Sequence, residues 1–427
     1  MKTATLATAL TRRVGDKAAD YAAHPKRTVA AEGGGAAAAP QTIAVPDGEA
    51  FPVLTLEIHR DLETLLPIWQ GFEQEAHATL FQNSLWCRAW LETAGARLGA
   101  RPVIVAGRAA GRLCFLLPLQ TRPRQGLRVL EWLGSPNHNY GYPLLAHGFA
   151  AQAGEWFAAH WHLLLDAAGG FDAVALTANP AEMFGRPHPL AGWRTLSGAD
   201  PSFALALEPE FETLLHRKFG NSLSRQRRRK EARLAQLVDT SFGLPANREE
   251  AHTLLDTLFA QHAQRLSERG VPPAFGPDEK RFFHRILDLQ DEAAPLLHLY
   301  RLTLDGAVVA MLAGGVQAGT FWALMTSLAP GHMRRFSPGD MVLRRTIEAC
   351  CERGIARYDF SPGDFSYKRR WANEATESFA ILAAANLRGL LWASAMLLAL
   401  QAKRRIKRTP VLYRAAQRLR LWLFRRP

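Results

Sequence analysis

The sequence predicts an α/β (α+β) protein of two tandem units, each a mixed, mostly antiparallel sheet flanked by helices. Three observations carry this. Apolar runs rich in β-formers are joined by glycine-containing turns, as in LLHLYRLTL, Asp305-Gly306 and AVVAMLAGGV. An Asp-Gly pair meets the positive φ that both central positions of a tight hairpin demand. An amphipathic helix then passes through a glycine into a fresh strand, CCERGIARYDF in the second half and DAAGGFDAVAL in the first. The same order of elements therefore occurs twice, with a boundary near residue 200 flanked by Pro201 and Pro209.

Residues 1–50 are rich in Ala, Gly and Thr and carry Arg12, Arg13 and Asp16 where a secretory signal needs an unbroken apolar run. They read as a flexible leader, with a mitochondrial-type presequence as the competing reading. The first unit, 51–200, offers the strands RPVIVAGR, RLCFLLPLQ and RVLEWL, a helix around Trp156 to Leu165 and a strand in GGFDAVALTANP. The second, 201–386, opens with two helices, about 211–237 and about 248–269, broken by Gly243, Pro245 and Asn247. The first of these carries Arg225, Arg227, Arg228, Arg229, Lys230 and Arg233, a density that suits either a solvated face or a grip on a phosphate-rich ligand. Three strands follow, the last FWALMTSL, and a polar loop ends in SPGD. Ser337 is placed to cap the next helix and Pro338 to open it. On that helix Leu343, Ile347, Cys350 and Cys351 share one face, opposite Arg344, Arg345, Glu348 and Glu352.

A chain of 427 residues with 48% hydrophobic content can bury two cores. Its four cysteines form no CxxC or His-paired spacing, so they read as buried apolar groups in a reducing cytosol and no metal is expected. The formal charge of +13 is concentrated: residues 388–427 hold eleven Lys or Arg and no acid, which leaves the body close to neutral. Bulk charge therefore gives no argument for nucleic acid. In the tail, 387–427, the run LLWASAMLLAL is eleven residues long, short of the roughly 20 that span a membrane. Lys403, Arg404, Arg405, Lys407 and Arg408 follow, and beyond Pro410 a helical projection separates Val411, Leu412, Ala415, Leu419, Trp422 and Leu423 from Arg414, Arg418 and Arg420. That is the pattern of a helix lying on an anionic membrane surface, here the inner face of the cell membrane, and a helix packed on the protein is the alternative.

Residues 52–385 resemble the GNAT-like acyltransferases of the CelD/BcsL type, linked to cellulose or exopolysaccharide production and related to the Fem peptidyltransferases. The likeness rests on LFQNSLWCRAWLETAG with FLLPL after it, on the arginine-rich helix and on SPGDMVLRRTIEACCERGIARYDFSPGDFSYKRRW. Within the last stretch, YDFxxGxxxYKxxW is complete as Tyr358, Asp359, Phe360, Gly363, Tyr367, Lys368 and Trp371.

The resemblance implies tandem GNAT folds, the first on the acceptor side and the second binding acetyl-CoA or another acyl-CoA. Thr326, Ser327, Arg334, Arg335, Ser337, Pro338 and Gly339 form the expected donor-binding set, because a helix start presents free N–H groups to a pyrophosphate. His332 stands beside them. The usual GNAT phosphate loop (Arg or Gln, two residues, Gly, any residue, then Gly or Ala) is not present, and Asp340 adds a carboxylate near the same place. Direct transfer needs a base, an acid for the thiolate and donors for the thioester oxygen. Asp359 is expected as the base, Tyr367 as the acid, and Lys368 as the holder of the carbonyl oxygen or a phosphate. The polar and aromatic loop NHNYGY supplies His138, Asn139 and Tyr140, with Trp371, as candidates for holding the acceptor. The activity implied is N- or O-acylation of a cell-envelope sugar or amine. A non-catalytic accessory protein of polysaccharide production and a Fem-like transferase fed by aminoacyl-tRNA remain the other readings.

Overall fold

The computed structural model describes residues 41–44, 53–221, 238–268, 270–271, 275–409 and 411–412, with the single residues Arg229, Gln236 and Ala415. Two compact units divide the chain: one takes residues up to 200 with 376–412, the other 201–375 and those from 413 on.

In the first unit, strands β1 (Thr55–His59), β2 (Arg101–Ala109), β3 (Arg112–Arg124) and β4 (Leu127–Trp132) run antiparallel in that order. Two-residue turns at Ala110-Gly111 and Gln125-Gly126 join the last three, and both residues of each turn have positive φ. Helix α1 (Ala153–Ala168) then leads to β5 (Ala173–Pro180), which pairs parallel with β4 only at Val129 and Leu130 before the strands part.

The second unit repeats this plan. Strand β6 (Ser202–Ala206) and helices α2 (Arg248–Glu268) and α3 (Pro277–Leu289) precede β7 (Leu297–Leu304), β8 (Ala307–Gln317) and β9 (Thr320–Leu328). Asp305 and Gly306 take φ of 49° and 75°, the hairpin geometry that their sequence demands. Helix α4 (Pro338–Glu352) leads to β10 (Arg357–Pro362), which pairs parallel with β9 from Thr320 to Trp322 and then leaves it. A short helix, α5 (Ser366–Trp371), follows. Helix α4 packs Met341, Val342, Leu343, Ile347 and Cys350 against Tyr300, Leu302, Leu312, Phe321 and Tyr358. Arg344, expected on the outer face of α4, is buried instead. Helix α3 was not anticipated, although Pro277 at its first turn with Asp278 and Glu279 is a standard start. The arginine cluster from Arg225 to Arg233 lies outside the described residues apart from the helical Arg229, as do residues 1–40 of the leader and nearly all of the tail beyond Thr409.

The chain then returns to the first unit through β11 (Ser378–Ala384) and helix α6 (Leu387–Arg408). Strand β11 pairs with β5, whereas the outer neighbour of β10 is β6. The first sheet thus takes a strand from beyond the second unit in sequence. Residues 376–386, expected with the second domain, are counted with the first. Alternating apolar residues mark a strand but do not say which sheet receives it.

Helix α6 docks through Ala393 and Leu397 onto Val129, Ala175 and Leu382. At Gly389, an added Cβ would stand 1.8 Å from the Asp172 carbonyl oxygen. Glycine to alanine inside a helix normally stabilises by about 1 kcal/mol, but overpacking against backbone costs about 1–3 kcal/mol, so the clash should win. Gly389→Ala is expected to lower the melting temperature and expose α6 to limited proteolysis. A raised melting temperature would mean that α6 is not held this way.

Candidate active site of the second unit

The strands β9 and β10 part after Trp322 and Asp359, while β9 continues to Leu328. From Ala323 onward, β9 has β8 on one side and, among the described residues, no strand partner on the other. Unpaired N–H and C=O groups on a strand edge receive amide-bearing chains well. Helix α4 begins at the far end of this edge. Gly339 lies so close to Leu328 that a Cβ there would approach its Cδ2 to 3.1 Å. Ser337 takes the left-handed conformation, φ 59° and ψ 50°, and caps α4 through its backbone rather than by the side-chain bond expected of it. Its carbonyl accepts from Asp340 and Met341, and Pro338 fills the first turn.

The expected donor-binding set divides at this point. Ser327 is fully buried and donates through Oγ to Gln261 Oε1 at 2.7 Å, so its hydroxyl belongs to the packing of α2 rather than to a ligand. Arg334 forms two bonds to the Glu268 carboxylate, at 2.9 and 3.3 Å, and a third to the Ala329 carbonyl. Both depart from the expected role for the same reason: a partner on α2 satisfies them first. Arg335 is exposed and lies over the Phe336 ring at 4.7 Å, and Thr326 is half-buried on β9.

At the end of β10, Ser361 is a second non-glycine residue in the left-handed region, φ 63°. Such a conformation persists only where its surroundings hold it. Asp359, 1% exposed, accepts the Ser361 N–H at 2.8 Å through Oδ1 and pairs with Arg357 at 3.0 Å through Oδ2. Lys368, 4% exposed, donates through Nζ to the Ser361 and Pro362 carbonyls, each at 2.9 Å. The Ser361 hydroxyl donates to the Ala323 carbonyl on β9. Asp359 and Lys368 are therefore brought together as two clamps on one bulge. Both oxygens of Asp359 are thus engaged in holding the bulge rather than free to take a proton from an acceptor. Trp371, expected to hold the acceptor, is 1% exposed and packs edge-on against Phe219 at 4.8 Å in the core.

Tyr367 is the motif residue that remains at the surface, 40% exposed and beside Phe365 with ring centroids 6.1 Å apart. Desolvation pushes its phenol pKa up, against the pull of Arg265 on α2, so the group stays protonated and able to donate. Sequence reasoning missed Arg265, Glu268 and Ser361. Only Ser361 had a local signal, lying in SPG directly after the strand.

In the first unit the loop 137–142 turns inward. His138 and Tyr140 are buried, and Asn139 is half-buried. The His138 Nε2 lies 3.3 Å from the Thr177 carbonyl, and burial lowers its pKa despite that bond. The Tyr140 carbonyl accepts from Gln82 at 2.8 Å. These residues hold the first unit together rather than forming the exposed loop expected.

A three-stranded meander, a helix and a strand that diverges from its parallel neighbour, present twice, make this a tandem GNAT-like fold. Residues 221–369 match the family model described as acetyltransferase (GNAT) domain, so the second unit carries a GNAT-like acetyltransferase domain. No curated protein matches the chain. Among solved structures, FemX is similar at 11% identity and a TM-score of 0.55 over 77% of this chain and 97% of that one. L-PGS from Bacillus licheniformis is similar at 13% identity and a TM-score of 0.42 over 76% and 97%. A tandem GNAT protein from the clavulanic acid biosynthesis pathway gives 12% identity and 0.38 over 78% and 99%.

Lys368→Met would leave two buried carbonyls without a donor, at about 1–3 kcal/mol each. The variant is expected to lose about 2–6 kcal/mol in a denaturant titration. Unchanged stability would return Lys368 to the list of groups free for chemistry.

Proposed function

We propose that the protein is an acyl-CoA-dependent N- or O-acyltransferase whose second unit binds the donor and whose acceptor is a sugar or amine of the cell envelope or an exopolysaccharide. The observation that supports this best is the start of α4, with left-handed Ser337, lying beside the unpaired edge of β9. In this reading the Gly339 N–H at the start of α4 and the Arg335 guanidinium hold the donor's diphosphate, with the Asp340 and Met341 N–H groups already bonded to Ser337. The free edge of β9 takes the amide-bearing arm. Acyl-CoA supplies the activated acyl group, and acyl transfer breaks the thioester C–S bond as the acceptor nitrogen or oxygen forms a bond to the same carbon. Tyr367 gives its proton to the departing sulfur, and the proton that the acceptor loses passes through solvent to restore the Tyr367 phenol. Asp359 and Lys368 act by positioning, through the Ser361 bulge.

One observation favours the non-catalytic reading: the two charged groups expected to do chemistry are both engaged in holding backbone. Native mass spectrometry with a panel of acyl-CoAs, followed by turnover, separates the possibilities. Wild type is expected to retain one acyl-CoA and Arg335→Glu to lose it, while Tyr367→Phe should bind donor and turn over about 10²-fold more slowly. Binding without turnover in wild type would make the protein an accessory factor. Retention of aminoacyl-tRNA in place of any acyl-CoA would move the donor to the Fem type.

We further place the protein on an anionic membrane surface through α6. No helix among the described residues is long and apolar enough to cross a membrane. Helix α6 buries one face and leaves Leu387, Leu391 and Leu398 exposed, with Lys403 and Arg405 exposed beyond them. Lys407 and Arg408 pair instead with Asp200 and Glu377, which reduces the charge available to lipid. Since each free basic residue near such a surface adds about 1 kcal/mol at most, the leucines must contribute. Flotation with anionic vesicles should be lost at high salt and in Leu391→Glu/Leu398→Glu, which spares the docked face. Flotation unaffected by both would remove α6 from the membrane.

A further inference from the structure

A bulky residue in a left-handed conformation marks a place where side-chain position outweighs backbone comfort, and Phe184 is one, at φ 55°. It opens the tight turn Phe184-Gly185, in which Met183 pairs with Arg186. Asn, Asp or Gly would suit that turn far better. The Phe184 ring is used on both sides: it stacks on His77 at 4.9 Å and meets Tyr142 edge-on at 5.5 Å. His77 stands on the short strand Ala76–His77, which pairs with Leu145 and Ala146 and so brings His147 alongside. The His147 Nδ1 and His77 Nε2 are 3.1 Å apart. Arg186 is exposed, and among the described residues no carboxylate pairs with it.

We propose that Arg186, His77 and His147 form a phosphate-binding site on the first unit, with Phe184 as the residue that positions the His77 ring. His77 and His147 meet here, and Arg186 stands on the hairpin that carries Phe184, with no carboxylate paired to it among the described residues. Burial lowers the pKa of His77 first, and His147 and Arg186 lower it further, which is mutual repulsion that an anion would relieve. Guanidinium and imidazole N–H groups suit phosphate oxygens, and the aromatic rings exclude water from one side. The site stands whether or not the second unit transfers an acyl group.

Calorimetry on the full chain at constant ionic strength tests it, with inorganic phosphate, glucose 1-phosphate and glucuronate as probes. Both phosphates are expected to bind saturably and glucuronate more weakly. Arg186→Gln should weaken phosphate binding at least about tenfold, the usual effect of a lost charge-assisted bond. Phe184→Asn should raise the melting temperature by relieving the turn and still weaken phosphate binding. Absence of saturable binding, or equal binding by wild type and Arg186→Gln, would overturn the site. Unaltered affinity in Phe184→Asn would remove the ring from it. Glucuronate binding as tight as glucose 1-phosphate would make it a general anion site rather than one for phosphate.

Discussion

The buried ammonium of Lys368 is the constraint on which the architecture of the second unit depends. By donating to the Ser361 and Pro362 carbonyls it pays for a left-handed residue at the end of a strand, where an L side chain is otherwise disfavoured. The bulge turns β10 away from β9 after Trp322, which leaves the edge of β9 open. It also directs the chain into α5, whose first turn carries Tyr367. Loss of the ammonium would thus reach the candidate donor site without Lys368 touching a ligand.

The first unit meets the same geometric problem with different groups. Ala178 is its left-handed residue, and the register of β5 against β11 shifts there as that of β10 against β6 shifts at Ser361. The carbonyls are taken by the loop that follows β4: His138 bonds to Thr177, and the Gly141 N–H donates to Ala178 at 3.0 Å. A neutral imidazole and a backbone amide there replace the ammonium of Lys368. The first unit therefore uses its own chain at the position where the second keeps an open strand edge, the edge to which the proposed function assigns the donor's arm.

Local signals were legible and long-range ones were not. Asp305-Gly306 fixed a hairpin and Ser337-Pro338 a helix start, because each depends on the φ preference of one or two residues. The return of β11 to the first sheet has no local signature, since it would alternate in the same way on either sheet. The pairing of Arg334 with Glu268 joins residues 66 apart, so a guanidinium before a helix start looked available when it was already engaged. The motif from Tyr358 to Trp371 was recognisable in sequence, but the burial that makes Trp371 part of the core and Asp359 a clamp appears only in three dimensions.

This arrangement bears on what the proposed acceptor can be. A general base must be able to reach the proton it takes, and both oxygens of Asp359 are engaged, one by Arg357 and the other by the Ser361 N–H. Ionising a hydroxyl demands a base that is free. An amine that arrives neutral does not, because it attacks first and loses its proton afterwards from a strongly acidic ammonium adduct. In the proposed reaction Tyr367, whose phenol pKa desolvation pushes up, protonates the leaving group, and no group of the second unit is assigned to activate a poor nucleophile. Within the proposed reaction, N-acylation of an amine is therefore the easier chemistry, and O-acylation would require a base from outside the groups described in this unit.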